Sequence, residues 1–403
     1  MLYRHAYPSR IGRALVCLLG LLIGLCTAVP AQSYLPAATP APAVASLLVP
    51  AWMLPGLPKA TKLKASLKFA YLSDNRDAES LRERREYDAL GRLSDVYVFS
   101  DQGGVAEKVS CTYHVGTEQA ASIVVERYGK DMELSFSSQH RFNAKGDLLD
   151  YESESSEQGY YRIVNTYDAA GRLQRTQYYE KDRLPGRAET YRYDAQGRLL
   201  EQTFLDIAGE VARVVRYTHD ASGHVSEAQV LEQGKALRYA VRYTYQPNGL
   251  LATMERVGRE GMITERETYT YNSKGQRVRV SSLLPGESKP METTLSYDEA
   301  GHVKEEKVID SDGSLFQWKR FLFTATGAPR ETAHLDAAGK PSYLDAREYD
   351  AQGRVLSITQ RYTDGSGDAQ TVFRWDQRGT ILDEKHTQFG QEVEVYWYVH
   401  EYY

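Results

Sequence analysis

Apolar and polar side chains alternate with a period of two over short stretches along most of the chain. Tyr191 and Tyr193, Tyr217 and His219, Tyr243 and Tyr245, Tyr269 and Tyr271, Phe321 and Phe323, and Phe373 and Trp375 each sit two residues apart. Arg192, Thr218, Thr244, Thr270 and Arg374 fall between them. Neighbouring side chains of a strand point to opposite faces. The spacing therefore predicts strands with one aromatic, apolar face and one charged or threonine-rich face. Most of the pairs run into a four-residue turn with Asp or Asn first and Gly fourth, as in Asp194-Ala195-Gln196-Gly197, Asn272-Ser273-Lys274-Gly275 and Asp298-Glu299-Ala300-Gly301. An Asp that opens a type I turn accepts hydrogen bonds from amides two residues on. A Gly at the fourth position takes positive φ without a Cβ clash and closes a hairpin with a bulge. Gln246-Pro247-Asn248-Gly249 varies the theme, with Pro pre-setting φ. Leu173, Leu199, Val225, Val303 and Val355 then start the return strands.

These signals recur. The phrase from Tyr87 to Leu93 returns from Tyr167 to Leu173, from Tyr193 to Leu199 and from Tyr349 to Val355. The aligned aromatic positions are Phe142, Tyr167, Tyr193, His219, Tyr245, Tyr271, Tyr297, Phe323, Tyr349 and Trp375; the first step is 25 residues and every later one 26. A second turn falls near the middle of many repeats: Asp101-Gln102-Gly103-Gly104, Asp206-Ile207-Ala208-Gly209, Asp310-Ser311-Asp312-Gly313, Asp336-Ala337-Ala338-Gly339 and Asp364-Gly365-Ser366-Gly367. Each repeat is thus two strands of about eight or nine residues joined by tight turns, and the array is an antiparallel meander of somewhat more than twenty strands. Open twisted sheets rarely exceed about ten strands without curling. The expected fold is all-β: an antiparallel hairpin-repeat array with a period of about 26 residues, curled into a spiral or barrel-like sheet with its aromatic face inward. A closed barrel of that strand number is too wide for side chains to fill, so it is either hollow or flattened with its walls in contact.

The Tyr-Asp-x-x-Gly-Arg-Leu phrase resembles the YD repeat, also called the RHS repeat, of bacterial secreted and cell-surface proteins, toxin-complex components and animal teneurins. The resemblance covers roughly residues 87–390 and is strongest in the four phrases just named. It implies long hairpin strips that spiral into a shell, and in some members carbohydrate binding. The self-cleavage segment and toxin domain of longer members are not recognised in this sequence.

Composition adds to this picture. Tyrosine contributes 30 of the 403 residues, which suits a pleated, half-buried surface. With 49 basic and 54 acidic residues and no basic block, nothing marks a nucleic-acid partner. Arg4, Arg10 and Arg13, the apolar run Ala14 to Val29 and the site Val29-Pro30-Ala31 read as a signal peptide over 1–31. Residues 32–60 form an Ala/Pro-rich linker, and 61–403 the repeat domain. Past the signal only Cys111 remains, so no internal disulfide is expected. A membrane-spanning barrel needs an apolar lipid-facing band, whereas Glu265-Arg266-Glu267-Thr268 and Lys304-Glu305-Glu306-Lys307 put charge on both phases. No transmembrane span is therefore expected in the mature chain.

No catalytic motif emerges. His219 occupies the aromatic repeat position and reads as structural; His224 and His302 replace the arginine after the turn glycine and read as surface residues. Asp310-Ser311-Asp312-Gly313 opens like a calcium loop but lacks the closing ligands. No metal, cofactor or catalytic residue is assigned. The candidate ligand-binding residues are aromatics at the end of the array, Tyr396, Trp397, Tyr398 and Tyr402, with Tyr403 beside them; the same stretch also reads as a capping strand. The expected function is a secreted or cell-envelope, non-enzymatic scaffold or binding module for a surface glycan or protein. The alternative is a shell-type or truncated component of a polymorphic-toxin system.

Overall fold

The computed structural model describes residues 63–72, 75–181 and 183–402. The expected signal peptide, the whole of the expected linker and Tyr403 lie outside the described residues. The rest forms 26 strands in one sheet, from β1 (Leu63–Leu72) and β2 (Asn75–Tyr87) to β24 (Asp368–Trp375), β25 (Ile381–Gln388) and β26 (Gln391–Tyr402). Consecutive strands pair antiparallel throughout, and β1 also pairs antiparallel with β26. The meander therefore closes on itself. An antiparallel ring requires an even strand number, which whole hairpins supply.

With strands about 4.8 Å apart and tilted about 40°, such a ring is about 50 Å across at the backbone and about 20 Å tall. Among the described residues, the close backbone approaches join sequence neighbours and the β1–β26 pair. The buried clusters likewise run along neighbouring strands. The wall is one continuous sheet closed around a lumen, with each buried cluster confined to neighbouring strands.

Side-chain phase follows the sequence. In β12 (Val211–His219), Val215 and Tyr217 are buried while Arg216 and Thr218 are exposed. In β14 (Ala236–Tyr245), Val241 and Tyr243 are buried and Arg242 and Thr244 exposed. Side chains converge on the concave face of a curled sheet and splay on the convex one, so the shielded aromatic phase lines the lumen. The convex phase carries cross-strand ion pairs at mid-strand: Arg216–Glu201 at 3.0 Å, Arg242–Glu227 at 3.3 Å, Arg266–Glu255 at 2.7 Å and Arg279–Glu292 at 2.7 Å.

The turns close as expected at the motif glycines. The Gly197 amide donates to the Asp194 carbonyl at 3.0 Å with Gly197 at φ 83°, and the pairing register shifts by one residue beside it. Two mid-repeat turns differ from the sequence reading. Gly103 and Gly365, at φ 82° and 76°, close onto the carbonyls of Ser100 and Tyr362 rather than Asp101 and Asp364. The glycine that accepts positive φ sets the frame, and an Asp one or two places away does not move it.

Candidate functional site

The lumen wall is built from the repeat motif upward. Asp168 Oδ1 accepts from the amides of Ala170 and Arg172, both at 2.9 Å, and Oδ2 accepts from Arg172 Nε at 2.7 Å. The Arg172 amide, helped by its guanidinium and opposed by partial burial, holds the Asp168 carboxyl below the usual carboxylate range. Asp194, Asp350 and Asp88 repeat the arrangement with Arg198, Arg354 and Arg92. Arg92, Arg172 and Arg354 then reach the aromatic of the next repeat. Arg172 lies 4.9 Å from the Tyr193 ring centroid and Arg92 lies 4.3 Å from that of Tyr113. The histidines in this column do the same. His224 stacks on Tyr245 at 4.6 Å and His302 on Phe323 at 4.5 Å, each also paired with its turn Asp. They are stacking members of the ladder, set deeper than the surface position read from sequence.

The motif aromatic also bonds backwards. Tyr193, Tyr245 and Tyr271 donate their hydroxyls to the carbonyls of Leu173, Val225 and Leu251 at 2.9, 2.8 and 2.9 Å. Trp375 does so through its indole N–H to Val355 at 2.8 Å. Each bond spans 20 residues, from one repeat to the residue that starts the return strand of the repeat before. The motif thus locks hairpin to hairpin at one rim of the ring.

Below this rim the lumen face mixes rings with ionisable groups. Burial raises the carboxyls of Glu267 and Glu306; Tyr269 opposes the shift at the first, and Lys319 and Arg277 oppose it at the second. Burial drives the His140 imidazole down to about 4, so it is neutral beside Tyr151. Burial, with Asp95 nearby, pushes the Cys111 thiol up to about 11, where the nucleophilic thiolate is scarce. Among the described residues no group of three His, Cys, Asp or Glu side chains is placed to hold a metal. No helix among them is long and apolar enough to cross a membrane.

The seam between β26 and β1 gathers the candidate aromatics of the sequence. Tyr396 and Tyr398 face the lumen. Lys68 of β1 lies 3.8 Å from the Tyr396 ring centroid and forms an ion pair with Glu384 of β25, clamping three strands together across β26. Burial, then the Glu394 carboxylate, pushes the Tyr396 hydroxyl up to about 12. Trp397 takes the opposite phase and stacks on Phe69 at 5.8 Å. Tyr402 lies against Thr380 at 3.3 Å with Arg378 over its ring at 4.8 Å. The four aromatics thus occupy both faces of a strand paired on either side. They do not form one uncovered end, because β1, whose sequence carries no repeat motif, supplies a partner.

A closed, single-layer ring of hydrogen-bonded YD hairpins defines the class: a YD-repeat shell. The teneurin YD-shell family model matches residues 135–363, more than half of the chain, and the protein belongs to that family. Among solved structures, the chain is similar to the TcdB2-TccC3 crystal structure, with 12% identity over 85% of this chain and 28% of that one and a TM-score of 0.28. It is also similar to a mutant Photorhabdus luminescens Tc holotoxin pore, with 13% identity over 78% of this chain and 20% of that one and a TM-score of 0.29. The chain therefore spans less than a third of either. A porin-like protein from Bacteroides uniformis is similar at 10% identity over 85% of this chain and 98% of that one, with a TM-score of 0.22. No curated protein matches.

Proposed function

We propose that the protein is an exported, non-enzymatic binding shell that holds a macromolecular partner, a protein segment or a glycan, against its lumen face. The observation that carries this reading is the pairing of β1 with β26, which turns a ribbon of hairpins into a wall around an enclosed space. Two further features support it. The lumen face offers rings together with the buried carboxyl of Glu306 and the half-buried one of Glu267, a lining suited to polar and apolar contact with a bound chain. Export is supported by the basic start, apolar run and small-residue site at residues 1–31.

Site-specific photo-crosslinking in the native host tests the reading. A crosslinker replaces Thr293 or Gln360 on the lumen phase, and Thr244 or Thr294 on the outward phase. The expected result is one discrete adduct from the lumen positions alone. Adducts only from the outward positions, or hydrolase turnover by the pure protein, would overturn it.

A further inference from the structure

The two rims of the ring are built from the same repeat but differ in character. The motif turns form one rim and the mid-repeat turns the other. Among the described motif turns, the large apolar side chains left exposed are Leu90 and Val115. The mid-repeat turns expose Met132, Leu184, Ile207, Met262 and Phe389, from 49% at Met132 to 83% at Ile207. Single exposed apolar side chains are ordinary on a protein surface; their concentration on one of two equivalent rims is not. Charge differs as well. Several turn aspartates of the motif rim are matched by their own Arg or His, as Asp168 is by Arg172 and Asp298 by His302. On the mid-repeat rim, Asp206 and Asp336 accept from backbone amides at 2.9 Å and form no ion pair among the described residues. Asp101, paired with Arg82, is an exception. Acidic residues outnumber basic ones across these turns.

We propose that the mid-repeat rim seats the ring on a membrane surface of zwitterionic, ammonium-headed lipid. The apolar tips enter the headgroup boundary, about 5–10 Å deep, and the unpaired carboxylates meet the ammonium groups. Three features favour that occupant. Every strand between β2 and β24 is 7 to 10 residues long, so these turns end near one level and present a flat annulus to a flat partner. Successive turns of one rim lie about 12 Å apart, two tilted strands at a time. The tips are therefore separate, whereas a protein interface packs its apolar residues into a continuous core; a bilayer receives each tip independently. The acidic excess repels anionic lipid and is complementary to an outward ammonium. Only turns enter the lipid, so the charged belt on the outer wall stays in water. The rim is separate from the lumen face, so the failure of either reading leaves the other standing.

Vesicle flotation of the mature chain tests the proposal. One set of vesicles is phosphatidylethanolamine with phosphatidylcholine; the other is rich in phosphatidylglycerol. The chain is expected to float with the first set and several-fold less with the second. Ile207→Asp and Met262→Asp are each expected to lower the partition coefficient about tenfold, and the double variant to abolish flotation. Leu90→Asp, at a comparably exposed site on the motif rim, is expected to change nothing. All three positions are exposed turn residues, so Tm should move little and the variants stay folded. Four results would overturn the proposal: no flotation with the zwitterionic vesicles; equal or stronger flotation with phosphatidylglycerol; full flotation of the double variant; or a loss in Leu90→Asp as large as in Ile207→Asp. Light scattering covers the remaining occupant. A dimer that Ile207→Asp and Met262→Asp disperse, without flotation of the unsubstituted chain, would assign the rim to a second copy instead.

Discussion

Tyr245 shows how much one motif residue does. Its hydroxyl reaches the Val225 carbonyl at 2.8 Å, and its ring carries His224 from the repeat before. Tyr245→Phe keeps the ring and leaves that carbonyl without its side-chain donor. The expected cost is about 1 kcal/mol in urea unfolding, from the loss of one neutral hydrogen bond. His140 makes the second residue-scale prediction. The folded imidazole titrates at about 4 because burial disfavours its charged form, against an ordinary value of 6.5. The unfolded chain therefore binds this proton first as pH falls. Stability is unaffected above pH 6.5 and is lost from there down to about pH 4, by at most about 3 kcal/mol. In His140→Leu that part of the pH dependence is expected to vanish; an unchanged acid limb in urea titrations would contradict the assignment. The turn Asp and Gly were legible in the sequence because their chemistry is local. The Arg172–Tyr193 stack and the Tyr193–Leu173 bond were less so, since both join different repeats. Their signal was present all the same: Arg92, Arg172, Arg198, His224, His302 and Arg354 each precede the next motif aromatic by 21 residues.

The unit of construction is the hairpin. Each repeat adds two strands and one rim turn; the turn carries an Asp–Arg pair in repeats such as that of Asp168 and Arg172, and a Tyr or Trp at the motif position bonds back to the preceding repeat, as Tyr193 does. Removing one complete repeat, residues 220–245, takes away two strands and leaves His219 running into the turn at Gln246. The strand number stays even, so a slightly narrower ring is expected to close and remain monomeric. Removing residues 220–232 takes away a turn and a single strand. The first and last strands would then run parallel, and the exposed edges are expected to drive aggregation. Size-exclusion chromatography of the two deletions separates the cases, and equal behaviour of both would argue against ring closure. Strand existence and phase were readable here from residues two apart. The frame of the turns at Gly103 and Gly365 was not, because Asp101 and Asp364 offered a second, equally local opening position.

At the scale of the whole molecule, closure is the property that local signals do not encode. The pairing of β1 with β26 joins residues more than 300 positions apart, and β1 lacks the repeat motif that would flag it as a partner. Length gave the expectation of a curled sheet and of hollow or collapsed alternatives. The seam contacts, Lys68 with Glu384 inside and Phe69 with Trp397 outside, give closure its specific register. They also explain why Tyr396 and Tyr398 part company with Trp397: a strand inside a closed wall has a lumen side and an outer side. The charged belt on the outer side, Arg216–Glu201 to Arg279–Glu292, is the opposite of the apolar band that lipid requires.

The most direct measurement of closure is a disulfide across the seam. Leu67 and Val399 pair directly in the β1–β26 register, and directly paired residues lie within the Cα separation a disulfide spans. In mature protein carrying Cys111→Ser, Leu67→Cys and Val399→Cys, mild oxidation is expected to give near-complete intramolecular cross-linking, with faster migration on non-reducing gels. Folded protein that stays reduced, or that cross-links only between molecules, would show that the ring is open.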